Sequence, residues 1–124
     1  MKKILYVEDD SINAFVVEKL LKRDFQVSHV VDGESCLERI QLENFDCILM
    51  DINLGKGKMD GVEAMKKIKE LHQYRNTPVI AVTSYAMPED EDRFLKDGFD
   101  SYLSKPVERK TLIQNIERFL KPQA

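Results

Sequence analysis

The sequence predicts an α/β domain built on a five-stranded parallel sheet, and three observations carry that prediction. Five short apolar runs alternate strictly with five stretches of helical spacing. Such alternation means a parallel sheet with helices on both faces, joined by right-handed crossovers. Next, Cys47-Ile48-Leu49-Met50 runs unbroken into Asp51, the pattern of a strand buried on both faces. Finally, the residues that close four of the apolar runs are charged or hydroxylated: Glu8-Asp9-Asp10, Asp51, Thr83-Ser84 and Lys105-Pro106. Five strands of this kind usually adopt the order 2-1-3-4-5, with a switch point between strands 1 and 3. Ligands bind outside the carboxyl ends of such strands.

The elements follow in chain order. Lys3–Val7 is a short apolar strand. Ser11–Lys22 is helical, with Asn13, Val16, Val17, Leu20 and Leu21 on one face. Phe25–Val31 is the second strand and ends at the turn signal Asp32-Gly33. Glu34–Gln41 is a short helix turning Cys36, Leu37 and Ile40 inward, and Asp46–Asp51 is the third strand. After the loop 53–60, Gly61–Leu71 is helical, with Val62, Met65, Ile68 and Leu71 at three-residue steps. Asn76-Thr77-Pro78 breaks the chain before the fourth strand, Val79–Thr83. Pro88 opens the next helix, where proline fits best, and Glu89 to Asp92 favour its positive start. Gly98 ends it. Ser101–Ser104 is the fifth strand, and Glu108–Leu120 the last helix, with Leu112, Ile113, Ile116 and Phe119 inside.

A chain of 124 residues is long enough for one domain with a real core and too short for two. The reading is therefore a single domain, 1–124. A formal charge of -3 points to neither a nucleic-acid nor a membrane partner. No apolar run is long enough to span a bilayer. The apolar stretch after Met1-Lys2-Lys3 ends at Glu8, too soon for an export signal, so a cytoplasmic location is expected. Cys36 and Cys47 lack a Cys-x-x-Cys pattern and read as buried thiols in a reducing compartment.

The 2-1-3-4-5 order brings at least three carboxylates together. Like charges at close range disfavour joint ionisation, and a hard divalent cation such as Mg²⁺, which takes oxygen ligands, resolves that conflict. Thr83 adds a hydroxyl and Lys105 a positive charge at the same edge. This combination suits a tetrahedral oxyanion such as a phosphoryl group. Singly, Glu8, Asp9 and Asp51 could each be a helix cap, Thr83 an ordinary strand residue and Lys105 a solvated turn residue. Their joint placement at one sheet edge is what carries the functional reading.

The chain resembles the response-regulator receiver domain over essentially its whole length. The matching stretches are Ile4–Asp10, Leu49–Leu54, Met59-Asp60-Gly61, Val82-Thr83-Ser84 and Tyr102–Pro106. The resemblance implies a flavodoxin-like fold and a phosphoacceptor role in a two-component or phosphorelay system. Asp51 is then the nucleophile, accepting a phosphoryl group from a phosphohistidine on a sensor histidine kinase or histidine phosphotransfer protein. The resemblance implies that Mg²⁺ is held by Asp9 and Asp51, by Glu8 through water and by the Asn53 backbone carbonyl. Lys105 pairs with a phosphoryl oxygen, Thr83 hydrogen-bonds another, and Tyr102 swings inward behind Thr83. The Lys105–Pro106 peptide is expected to be cis. Output is expected through contact with a downstream protein target.

Four features depart from the family pattern or stand outside it. The loop after Asp51 carries Gly55-Lys56-Gly57-Lys58, longer than usual and without the usual proline. It reads as a solvated loop, with attraction of an anionic donor by Lys56 or Lys58 as the alternative. Phe99 stands where a small residue is usual and fits either the core near the fifth strand or the output face. Phe15 points outward, above Glu18 and Lys22, and fits either an aromatic anchor for a partner or packing against a neighbouring loop. Tyr85, two residues after Thr83, predicts a long-lived acyl phosphate, with a loop residue of no kinetic consequence as the alternative. A phosphatase of the haloacid-dehalogenase type would need a second Asp where Asn53 stands. In a flavodoxin-type electron carrier, Glu8-Asp9-Asp10 would repel the flavin phosphate.

Overall fold

A computed structural model describes residues 1–54, 59–84 and 87–120. Its elements are β1 (Lys3–Val7), α1 (Ser11–Leu21), β2 (Gln26–Val30), α2 (Gly33–Leu42), β3 (Cys47–Asp51), α3 (Gly61–Glu70), β4 (Val79–Thr83), α4 (Pro88–Asp97), β5 (Ser101–Ser104) and α5 (Arg109–Leu120). The strands form one parallel sheet in the order β2-β1-β3-β4-β5, as the alternation predicts. Helix and strand ends shift by a residue or so from the sequence reading, as fraying ends do. One short 3₁₀ turn, His72–Tyr74, was not anticipated. It buries Tyr74, whose hydroxyl lies 2.9 Å from the carbonyls of Ile40 and Glu43.

Side chains alternate across each strand and so build two cores. On one face Leu5, Val7, Ile48, Met50, Val79 and Ala81 meet Cys36 and Ile40 of α2, Met65 and Ile68 of α3, and Phe94 of α4. On the other, Ile4, Tyr6, Cys47, Leu49, Ile80 and Val82 meet Ala14, Val17 and Leu21 of α1 and Leu112 and Ile116 of α5. β3 and β4 are buried throughout. Each such aliphatic side chain contributes about 1.5–3 kcal/mol.

Two expectations are refined here. Helical spacing puts Val16 on the inner face of α1, yet it is 45% exposed, and the buried row is Ala14, Val17 and Leu21. Ala14 carries little apolar weight in a pattern count, but its small size lets α1 sit close to the sheet, and that turns Val16 outward. Phe99 belongs to the core, edge-on to Phe94 with ring centroids 6.1 Å apart. Cys36 and Cys47 are free and buried, and burial pushes the Cys36 thiol up to about 12.

Three helices start on side-chain caps. Asp10 accepts from the Ile12 and Asn13 amides, Asp32 from Ser35, and Asp60 from Glu63. At the amino end of the sheet, Asp100 Oδ2 accepts from the Val79 amide and from Lys69 Nζ, both at 2.8 Å. Lys69 Nζ also donates to the Thr77 carbonyl at 2.6 Å. This staple ties α3, the start of β4 and the start of β5 together.

Candidate functional site

β1 and β3 are neighbours in parallel register, with Val7 opposite Met50. Both therefore release their chains at the same sheet edge, and the next residues carry the carboxylates. Oxygens of Glu8, Asp9 and Asp51 all lie within 4.8 Å of one another. Glu8 is 1% exposed and Asp51 5%, while Asp9 faces solvent. Lys105, delivered from the end of β5, places Nζ 2.8 Å from Glu8 Oε1 and 3.4 Å from Asp51 Oδ1. The Lys105–Pro106 peptide is cis. The Lys105 amide donates to the Thr83 carbonyl at 2.7 Å, joining the ends of β4 and β5.

One ammonium does not balance three carboxylates. Burial, then the hydrogen bond and charge of Glu8, push the Asp51 carboxyl up to about 7, and Lys105 offsets only part of this. Burial also pushes Glu8 upward, but hydrogen bonds with Asp51, Lys105 and Tyr6 outweigh it and hold Glu8 below the usual carboxylate range. The two carboxyls are thus pushed apart, Glu8 down and Asp51 up. Partial burial, and then Glu8, raise Asp9. Burial opposes the charge on Lys105, yet the neighbouring carboxylates hold its amine above the ordinary value. Hard oxygen donors at this spacing, carrying more negative charge than the site itself neutralises, fit a hard divalent cation. Glu8, Asp9 and Asp51 could hold it, with the exposed Asn53 at the rim, whose amide donates to Asp51 Oδ1 at 3.4 Å.

The remaining expected residues fall around this centre. Thr83 is buried at the end of β4, opposite Ser104. Tyr102 is half-buried on β5, packed on Phe94 with ring centroids 6.0 Å apart. Its register partner is Ala81, two residues before Thr83 and therefore on the same sheet face. Phe15 is 58% exposed on α1, with Lys19 Nζ 5.0 Å from its ring centre. Together with Glu18, Lys19, Lys22 and Val27 it lines a shallow hollow of about 250 Å³. Tyr85, Lys56 and Lys58 lie outside the described residues.

Sequence reasoning missed two residues beside the site. The Tyr6 hydroxyl donates to Glu8 Oε1 at 2.7 Å. His29 Nε2 lies 2.6 Å from the Glu8 carbonyl, so that nitrogen carries a proton. Period-two alternation could have found Tyr6, because residues i and i+2 share a strand face. His29 needed the β1–β2 register, which sets it opposite Tyr6.

The doubly wound fold places this chain among the flavodoxin-like α/β proteins. Residues 4–117 match the model of the response regulator receiver domain, and the chain belongs to that family. It is 32% identical to the polar-differentiation response regulator DivK of Brucella ovis, over 96% of each chain. It is 35% identical to hybrid signal transduction histidine kinase I of Dictyostelium discoideum, covering 93% of this chain but 7% of the kinase. Its fold superposes with a TM-score of 0.87 on the receiver domain of the sensor histidine kinase PA1611 from Pseudomonas aeruginosa, 32% identical over 98% of each chain. That receiver holds a magnesium ion in its active-site cleft. Receiver domains are signalling phosphoacceptors of two-component systems.

Proposed function

We propose that Asp51 is the phosphoacceptor and that residues 1–124 act as one receiver unit in a two-component or phosphorelay system. The observation that carries this reading is the convergence of Glu8, Asp9 and Asp51 within 4.8 Å, with Lys105 reaching two of them. A carboxylate oxygen of Asp51 attacks the phosphorus of a phosphohistidine. The new O–P bond forms as the N–P bond breaks, and the imidazole leaves with the bonding pair and takes a proton from solvent. Mg²⁺ held by Asp9, Asp51, Glu8 through water and the Asn53 carbonyl would supply charge neutralisation across the carboxylates and the phosphoryl oxygens. Lys105 exchanges Glu8 for a phosphoryl oxygen. Thr83 hydrogen-bonds another oxygen, and Tyr102 moves toward the space Thr83 leaves. A charge change of roughly two units is enough to bias such a two-state element.

The donor in this reading is a sensor histidine kinase or a histidine phosphotransfer protein, docking against Phe15. Output runs through a downstream protein target rather than nucleic acid or membrane, in the cytoplasm. No described helix is long and apolar enough to cross a membrane. The test is intact mass after incubation with acetyl phosphate and Mg²⁺. The expected outcome is a gain of one phosphoryl group, lost in Asp51→Asn. An unchanged mass in the unaltered chain would remove the reading.

A further inference from the structure

We propose that Tyr6 is a positioning residue for cation binding, its hydroxyl holding the Glu8 carboxylate in the pose that completes the acidic cluster. The inference rests on the reading of Glu8, Asp9 and Asp51 as a Mg²⁺ site. Glu8 Oε1 takes two donors, the Tyr6 hydroxyl at 2.7 Å and Lys105 Nζ at 2.8 Å. They are unlike in kind. Tyr6 lies within β1, paired on both sides with His29 of β2 and Leu49 of β3, and is 1% exposed. Lys105 sits past the end of β5 on a long side chain and divides itself between Glu8 and Asp51.

The difference matters when the site is loaded. A phosphoryl group on Asp51 draws Lys105 away, and Tyr6 is then the side-chain donor left on Glu8 Oε1. A buried carboxylate oxygen without a donor is costly, so Glu8 would otherwise turn out of the cluster or keep the lysine. Tyr6 is also a neutral donor. It fixes the oxygen without cancelling the negative charge that a cation needs, whereas an ammonium in the same place cancels it. The tyrosine ring can do this because it belongs to the buried cluster on the α1–α5 side of the sheet, with Val17, Leu49 and Val82.

The test is Mg²⁺ titration followed by backbone amide NMR shifts, which count only folded molecules. Tyr6→Phe removes one oxygen and keeps the ring. The expected result is a roughly tenfold weaker Mg²⁺ affinity, the size of effect seen when a partner that orients a metal ligand is removed. In a Glu8→Asp background, where the carboxylate is drawn back by one methylene from the hydroxyl, Tyr6→Phe should change the affinity by less than about twofold. An affinity in Tyr6→Phe within about twofold of the unaltered protein overturns the proposal, as does an equal loss in both backgrounds. If Tyr6→Phe does not fold, the ring resonances of Tyr6 in the unaltered protein decide. They should shift with the same midpoint as the Asp9 and Asp51 amides, and a ring that stays still through saturation overturns the role. Absence of saturable shifts at Asp9 and Asp51 in the unaltered chain is a different failure, that of the cation site itself.

Discussion

Asp51 is held in a state that works against the metal-free fold. Its carboxyl titrates near 7 in the folded chain against an ordinary value of 3.8. The folded state therefore binds a proton that the unfolded state has released, and this group's contribution to stability falls as pH rises from about 4 to about 7. Glu8 acts in the opposite sense: its carboxyl is depressed, so its contribution is present above its ordinary value and lost as pH falls through the folded one. The two shifts oppose each other, so part of the Asp51 penalty is offset by Glu8. Asp51→Asn should accordingly stabilise the metal-free protein at pH 8, with the gain vanishing near pH 4. Urea denaturation at the two pH values checks this, and a gain independent of pH would contradict it. Much of this was readable from the chain, because runs of apolar residues ending in acids place those acids at strand ends. Which carboxyl is pushed up and which is held down was not readable. That depends on Tyr6 and Lys105 both reaching Glu8, a matter of distances across the sheet.

At the scale of elements, α3 is fitted to the site by one missing side chain. A Cβ on Gly61 would lie 2.2 Å from the Asp51 carbonyl oxygen and 2.9 Å from the Ile52 Cα. Both are backbone atoms, so Gly61→Ala must shift either the start of α3 or the end of β3. A loss of about 3 kcal/mol is expected in chemical denaturation, with slower phosphorylation by acetyl phosphate. For α1 the prediction separates docking from chemistry. Phe15 is exposed, so Phe15→Ala should alter stability by less than about 0.5 kcal/mol. Phosphotransfer from a protein donor should slow while transfer from acetyl phosphate stays the same; equal slowing with both donors would sink the docking role. The helical wheel found Phe15 but misplaced its neighbour Val16, because apolarity alone cannot say that the small Ala14 sets the rotation of the helix.

For the whole molecule, the parallel sheet could be read from alternation because parallel neighbours need a crossover at every step, and the order 2-1-3-4-5 is the usual one for five such strands. The placement of Phe99 could not, since nothing local says that the turn after Gly98 folds it onto Phe94. The proposed switch spans the same region, from Thr83 to Tyr102. Thr83→Ala should still accept a phosphoryl group, but the Tyr102 ring should then keep its metal-free NMR environment. Movement of the ring in that variant would separate the two residues. β5 is pinned at its amino end, where Asp100 accepts from the Val79 amide and from Lys69, while its other end leads into Lys105. The Lys105 amide on the Thr83 carbonyl ties that other end to β4 as well, so β5 is held to its neighbour at both ends. In the proposed switch a change at Thr83 therefore reaches β5 through the backbone itself, at the residue just before Lys105's side chain enters the site.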